Sequence, residues 1–499
     1  MNLEHTVTET EGTSRTPRLP LILLLGGVLL LFVATGLKGW RLFRLAQSFQ
    51  GYQVQAETLA ANGIMTADPD QAEALVNDMR RDVVTLEREV GYLLPLGRYF
   101  SWIPRVGPLL ANGEALMDMA DSGSEAAAYA VRGLKPALHL VQDDTTAGGD
   151  LLPQMLPIVE SAEPDLLAAS AALDRAIEAR SRIENVEALP WRVRTLLEMV
   201  DGKLYLADEL KLLTVLPALM GSDGPRTYLL LAQNEDEIRP TGGFLTGAGL
   251  LMVENGQIVS LTFEDGNVID DWRNKPYDSP PAPFYDLMGL ELFLFRDANF
   301  WPDYPTSAEH AMQLYRYGQD STQELDGAIA IDQEFVAMLL AVTGPVDLAE
   351  LERPVNSNNA VASFREAWAA GQEESFSEWV GERKDFLAPL ADAIRRRLLG
   401  DFRSLDPLFL AETIHRAATE KHLQFYVRDP QVAAVLDQID WDGRLEPPAE
   451  GDFLMLVETN VGYNKVNPLV ERELTYDVEL RQNGTGIATL TVEHRPTGN

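Results

Sequence analysis

Two short stretches of this chain concentrate the residue types that phosphate and metal chemistry uses. One is Asn234-Glu-Asp-Glu-Ile-Arg-Pro-Thr-Gly-Gly-Phe244, polar and acidic around Arg239. The other opens with Arg296-Asp297 and closes with Asp303. A guanidinium grips two phosphate oxygens at once, and a hard cation that bridges phosphates needs carboxylates. A further basic residue, Arg383, stands in Gly381-Glu-Arg-Lys-Asp385. Each has an ordinary alternative. Arg239 can pair with Glu235 or Asp236 and fix a loop, and Arg296 and Asp297 can form a structural turn. Gly242-Gly243 supplies a tight turn in either case, and also allows a close approach of backbone to a ligand.

Other chemistries are excluded or unsupported. The chain has no cysteine, hence no disulfide, thiolate metal site or cysteine nucleophile. It has no G-x-x-x-x-G-K-[ST] loop, no H-E-x-x-H and no G-x-S-x-G elbow. His139 is alone, and His415 and His422 make no recognisable metal motif, so all three read as structural. The carboxylates are too numerous for a glycosidase pair to be singled out. Lys and Arg total 41 against 76 Asp and Glu, a net charge of −35 that argues against a nucleic-acid partner.

The elements that would position these residues follow from periodicity. Arg226 to Gln233 is a buried-strand run ending at the first polar stretch. Leu250–Glu254 and Gln257–Phe263 flank Asn255-Gly256, a hairpin turn. Asp326–Asp332 is a strand with acidic ends, leading into a helix from Glu334 to Val342. Further helices are expected at Ser307–Tyr317, Asn358–Trp368 and Ser375–Leu399. Upstream, Leu75, Met79, Val83, Leu86 and Val90 share a helical face, as do Leu166, Ala169, Leu173 and Ile177, and Leu196 through Leu210. Asp68-Pro69 reads as a helix entry. Downstream, Asp452–Glu458 reads as a strand, and Arg472–Leu480 pairs with Ile487–Glu493 around Asn483-Gly484.

The blocks YLLLAQNEDEIRPTGGF, LLMVENGQIVSL, RDANFWPDYPTSAEHAMQLY and LDGAIAIDQEFVAMLLAVTGPV occur in that order. They resemble a family of membrane-anchored bacterial proteins classed as a domain of unknown function, and that family is similar, more distantly, to the LytR-CpsA-Psr envelope enzymes. The resemblance spans about Gly224 to Asn467. It implies an α/β/α sandwich outside the membrane, and transfer of a glycopolymer from a polyprenyl pyrophosphate lipid to the cell wall. Carried over residue by residue, it implies catalytic roles for Arg239, Arg296 and Asp297. It adds a ligand contact at Arg383 and Mg2+ at Asp297 and Asp303, while Gly242 and Gly243 are expected to contact a ligand through the close backbone approach that glycine allows. The chain departs from the enzymes at Thr241-Gly-Gly-Phe244 and Phe263-Glu-Asp-Gly266, where two pyrophosphate arginines are missing. The alternative is therefore a binding or scaffolding protein of the envelope that has no catalysis.

Leu19 to Leu37 is uncharged and apolar. At about 1.5 Å per residue, roughly 19 residues cross a hydrocarbon core of about 30 Å, so a single-pass anchor is expected rather than a cleaved signal. Arg15 and Arg18 precede it, whereas Lys38, Arg41 and Arg44 follow. These flanks lean toward a cytoplasmic main body; the resemblance places that body outside the cell membrane. The expected organisation is a tail (1–18), a transmembrane anchor (19–37), a helical stalk or bundle (38–223), an α/β domain (224–450) and a β extension (451–499). A lone hairpin is marginal in water, so the native chain is expected to continue past Asn499.

Overall fold

The computed structural model describes most of residues 38–59 and then residues 67–143, 151–348, 353–368, 389–400, 404–449, 451–461 and 465–497. Its first half is helical. Helix α1 (Pro69–Val90) starts at Asp68, whose carboxylate accepts from the Asp70 and Gln71 amides, with Pro69 in the first turn. Helices α2 (Gly113–Gln142) and α3 (Leu151–Ser181) pack along each other, and α4 (Leu206–Leu219) packs on α3. Small residues let them approach. On α3, Ala162, Ala169, Ala172, Ala176 and Ala179 are buried with Leu166, and a Cβ added to Gly133 of α2 would stand 3.2 Å from the Asp165 side chain. The stripe from Leu196 to Leu210 spans two helices rather than one: Trp191–Asp201 ends before α4 begins, and Leu196 is exposed.

A five-stranded sheet follows, in the order β3-β2-β1-β4-β5. Strands β1 (Arg226–Asn234), β2 (Phe244–Glu254) and β3 (Gln257–Asp265) form an antiparallel meander, turned between β2 and β3 by Asn255 and Gly256, both at positive φ. The chain then crosses over through α5 (Tyr304–Gly318) to β4 (Gly327–Ile331), which lies parallel to β1. Helix α6 (Gln333–Thr343) leaves the end of β4, and α7 (Ala360–Trp368) follows. Helix α8 (Pro407–Thr419) leads to β5 (Leu423–Val427), antiparallel to β4, and then to α9 (Pro430–Gln438).

Alternation along β1 divides the core between two faces. Leu229 and Leu231 join Leu245, Phe295, Tyr304 and Met312 beneath α5. Tyr228 joins Val215, Val427, Leu436 and Trp441 on the α4 and α9 side. Strands β6 (Val470–Leu480) and β7 (Gly486–Pro496) make a separate two-stranded ribbon.

The fold class expected from the sequence is corrected in two respects. The α/β class gives way to a mostly helical chain with one mixed sheet, because three of its four strand pairings are antiparallel and the helices before β1 dominate the first half. No helix among the described residues is long and apolar enough to cross a membrane. Long helices such as α2 and α3 are instead interrupted by charged residues that face outward. The expected anchor at Leu19–Leu37 lies outside the described residues, so the membrane keyword and the cell-membrane placement find no support in the structure. Two smaller differences concern strands. Asp452–Glu458 is not a strand, and β5, with the helices either side of it, was not marked by a periodic signal strong enough to read.

Candidate functional site

Strands β1 and β4 end side by side, with Ile331 opposite Ala232, and β5 begins beside them, with Leu423 opposite Ile331. Ligand sites in open sheets favour the carboxyl ends of parallel strands. Here that end carries a concentration of buried polar groups: Gln233, Asn234, Asp236, Arg239, Thr241, Asp297, Asn299, Asp332, Gln333 and Gln424. Burial of so many polar groups is tolerable only if they bond one another.

The loop after β1 is held from several sides. Asn234 Oδ1 accepts from the Asp236 amide at 3.0 Å and from Gln333 Nε2 at 2.9 Å. Asn299 Nδ2 donates to the Gly243 carbonyl at 2.7 Å and to Thr241 Oγ1 at 3.0 Å, while Gln424 Nε2 donates to the Thr241 carbonyl at 2.7 Å. The glycine pair serves this closure. Gly242 has φ +138°, and a Cβ on Gly243 would overlap the Asn234 backbone. Their place in the structure is a loop seam against β1.

Arg239 turns inward. Its Nη2 lies 3.4 Å from Asp297 Oδ1, both residues are 3% exposed, and its guanidinium sits 5.2 Å from the Phe244 ring centroid. Burial raises the Asp297 carboxyl above its ordinary range, against the pull of Arg239 and then Arg296. Arg296 Nε is 3.8 Å from Asp297 Oδ2, and its Nη1 donates to Asn267 Oδ1 at 3.3 Å. The three residues expected to be catalytic thus come together as one charge cluster. Asp303 does something else. It caps α5 by accepting from the Thr306 amide at 3.1 Å, and its other oxygen accepts from the Leu445 amide at 3.1 Å. Asp297 is thus engaged by guanidinium groups and Asp303 by backbone amides. Arg383 lies outside the described residues.

Two features of this end were not found from the sequence. Arg365 of α7 makes a bidentate pair with buried Asp236, at 2.6 to 3.1 Å. His422, set aside as structural, stands at the entry to β5 with its Nδ1 2.6 Å from Asp332 Oδ2 and 3.6 Å from Glu235 Oε1. Its Nε2 is 3.8 Å from Glu420. Asp332, and then Glu235, hold the His422 imidazolium charged well above the ordinary histidine range. Asp332 also caps α6, accepting from the Phe335 amide at 2.9 Å. The available signal was the acidic residue ending β4 and a histidine just before a short apolar run. A cleft of about 220 Å³, lined by Arg226, Tyr228, Asp326 and Arg428 among others, lies at the opposite end of β1.

Most of this polar end is built from one continuous stretch of sequence. Residues 223–368 match the family model described as Protein of unknown function (DUF4012). The DUF4012 match runs from just before β1 to the end of α7. It therefore contains Arg239, Asp297, Asp332 and Arg365, and stops before His422. No curated protein and no solved structure matches the chain. Of the resemblance read from the sequence, the unknown-function family is supported, and its link to the LytR-CpsA-Psr enzymes is not.

Proposed function

We propose that this chain is a binding or scaffolding protein rather than a glycopolymer transferase. The observation that carries the reading is the buried pair Arg239–Asp297. A guanidinium 3% exposed, with a carboxylate beside it, is not placed to grip a pyrophosphate. Arg365, the other arginine against the loop, is likewise matched by Asp236. Asx-turn, amide and ion-pair contacts make the loop after β1 a fixed surface, which suits recognition without bond-making.

A second reading keeps the LytR-CpsA-Psr resemblance and has the chain bind or transfer a lipid-pyrophosphate-linked glycan with Mg2+. Arg296 favours it, because its side chain is 23% exposed and it borders the Asp297 cluster. The test is incubation of the chain with a polyprenyl pyrophosphate-linked saccharide, a cell-wall glycan acceptor and Mg2+, following binding, the saccharide joined to the acceptor and release of the lipid phosphate. The expected outcome is no release. Release that Arg296→Ala abolishes in a folded protein would overturn the proposal in favour of the transferase.

A further inference from the structure

We propose that Glu235, Asp332 and His422 form a divalent-cation site that selects Zn2+ or Mn2+ over Mg2+ and Ca2+. The three residues come from three separate places: the loop after β1, the end of β4 and the entry to β5. One ligand-capable atom from each lies within 4.8 Å of the others. One imidazole nitrogen and two carboxylate oxygens form a donor set that suits borderline ions, whereas Mg2+ and Ca2+ favour oxygen alone.

The geometry is close to what such an ion needs. With metal–ligand bonds of about 2.0–2.2 Å, neighbouring donors in a tetrahedral site stand roughly 3.3–3.6 Å apart. His422 Nδ1 and Glu235 Oε1 are 3.6 Å apart. His422 Nδ1 and Asp332 Oδ2, at 2.6 Å, must open by about 1 Å as the ion replaces the Nδ1 proton, which is released to solvent. Asp332 is already oriented for this, since the Phe335 amide holds its Oδ1 and leaves Oδ2 facing the histidine.

A second observation comes from the amides beside the ligands. Asn234 and Gln333 adjoin Glu235 and Asp332 in sequence, are 0% and 3% exposed, and bond each other at 2.9 Å. Asn234 Nδ2 and Gln333 Oε1 nevertheless have no hydrogen-bond partner. Buried amide atoms of this kind call for a partner, and the water shell of an ion with only three protein ligands would supply one. Three ligands also leave coordination positions open. The open positions on the cation would give this end of the sheet a Lewis-acid contact, which the internally paired Arg239 does not provide. The site stands whether or not a pyrophosphate ligand exists.

The experiment is calorimetric titration of the full chain, stripped with chelator, with Zn2+, Mn2+ and Mg2+ salts alone and no phosphate present. The expected result is one Zn2+ or Mn2+ per chain, with Mg2+ at least ten-fold weaker. His422→Ala and Glu235→Gln should each weaken Zn2+ about ten-fold or more. Asp332→Asn also removes the α6 cap, so the proposal is judged on His422 and Glu235, with circular dichroism confirming that both variants are folded. Co2+ provides a spectroscopic check, since visible d–d bands that His422→Ala removes report imidazole ligation. Wild-type binding no tighter than that of His422→Ala, or a Zn2+ site unchanged in both variants, would overturn the proposal. A transferase result in the preceding assay would leave this one intact.

Discussion

At the scale of single residues, the charge cluster at Arg239, Arg296 and Asp297 is a matter of burial before it is one of chemistry. A buried ion pair is weak evidence of net stabilisation, but removal of one partner leaves an uncompensated charge in the interior. Arg239→Ala should therefore destabilise the protein by roughly 3 kcal/mol, read as a drop in the urea midpoint. Arg239→Ala combined with Asp297→Ala should recover part of that loss, because the stranded carboxylate goes with its partner. Equal losses in the single and double variants would show that Asp297 is satisfied without Arg239. The same residue-scale logic separates the two aspartates once grouped as metal ligands. Asp297 is surrounded by guanidinium groups, and Asp303 by backbone amides that it caps.

At the scale of elements, α4 joins the helical half to the sheet, packing on α9 and touching α8. Glu209 of α4 lies 3.5 Å from His415 of α8, with the Tyr205 ring tilted against the same histidine. Burial, and then Asp208, push the Glu209 carboxyl from its ordinary 4.5 up to about 8. The folded state therefore keeps a proton that the unfolded chain releases. This contribution is fully present below about pH 4.5 and is lost as pH rises toward about 8. Glu209→Gln should flatten that decline, and at pH 9 it should exceed wild type by roughly 1–3 kcal/mol in chemical denaturation. Parallel pH profiles for the two proteins would rule this out. The β6–β7 ribbon shows the reverse situation. Leu474, Tyr476, Val478 and Leu490 share one face, as the cross-strand register dictates, yet they are exposed. Its pairing is local, so the Asn483-Gly484 turn could be read from sequence, and both strands run somewhat longer than that reading.

At the scale of the whole molecule, the net charge of −35 opposes compaction. Raising NaCl from about 20 to 200 mM shortens the range of that repulsion from about 20 to about 7 Å, and the melting temperature should rise by a few degrees. A fall would mean that the surface ion pairs outweigh the repulsion. Sequence by itself determined much of what is local. The stretch before β1 is helical, α1 starts at Asp68-Pro69, β2 and β3 turn at Asn255-Gly256, and β4 leads into α6. Each of these rests on nearest-neighbour rules: capping groups, fixed φ at proline, tolerance of positive φ, and side-chain period. Tertiary structure alone decided where the chemistry lies. Whether Arg239 faces a ligand or Asp297 depends on a contact 58 residues away, and the pairing of His422 with Asp332 spans 90. Spacing in sequence carries no signal for contacts closed over such distances. They exist because β1, β4 and β5 hydrogen-bond side by side, and the burial that follows forces every charge at their ends to find a partner.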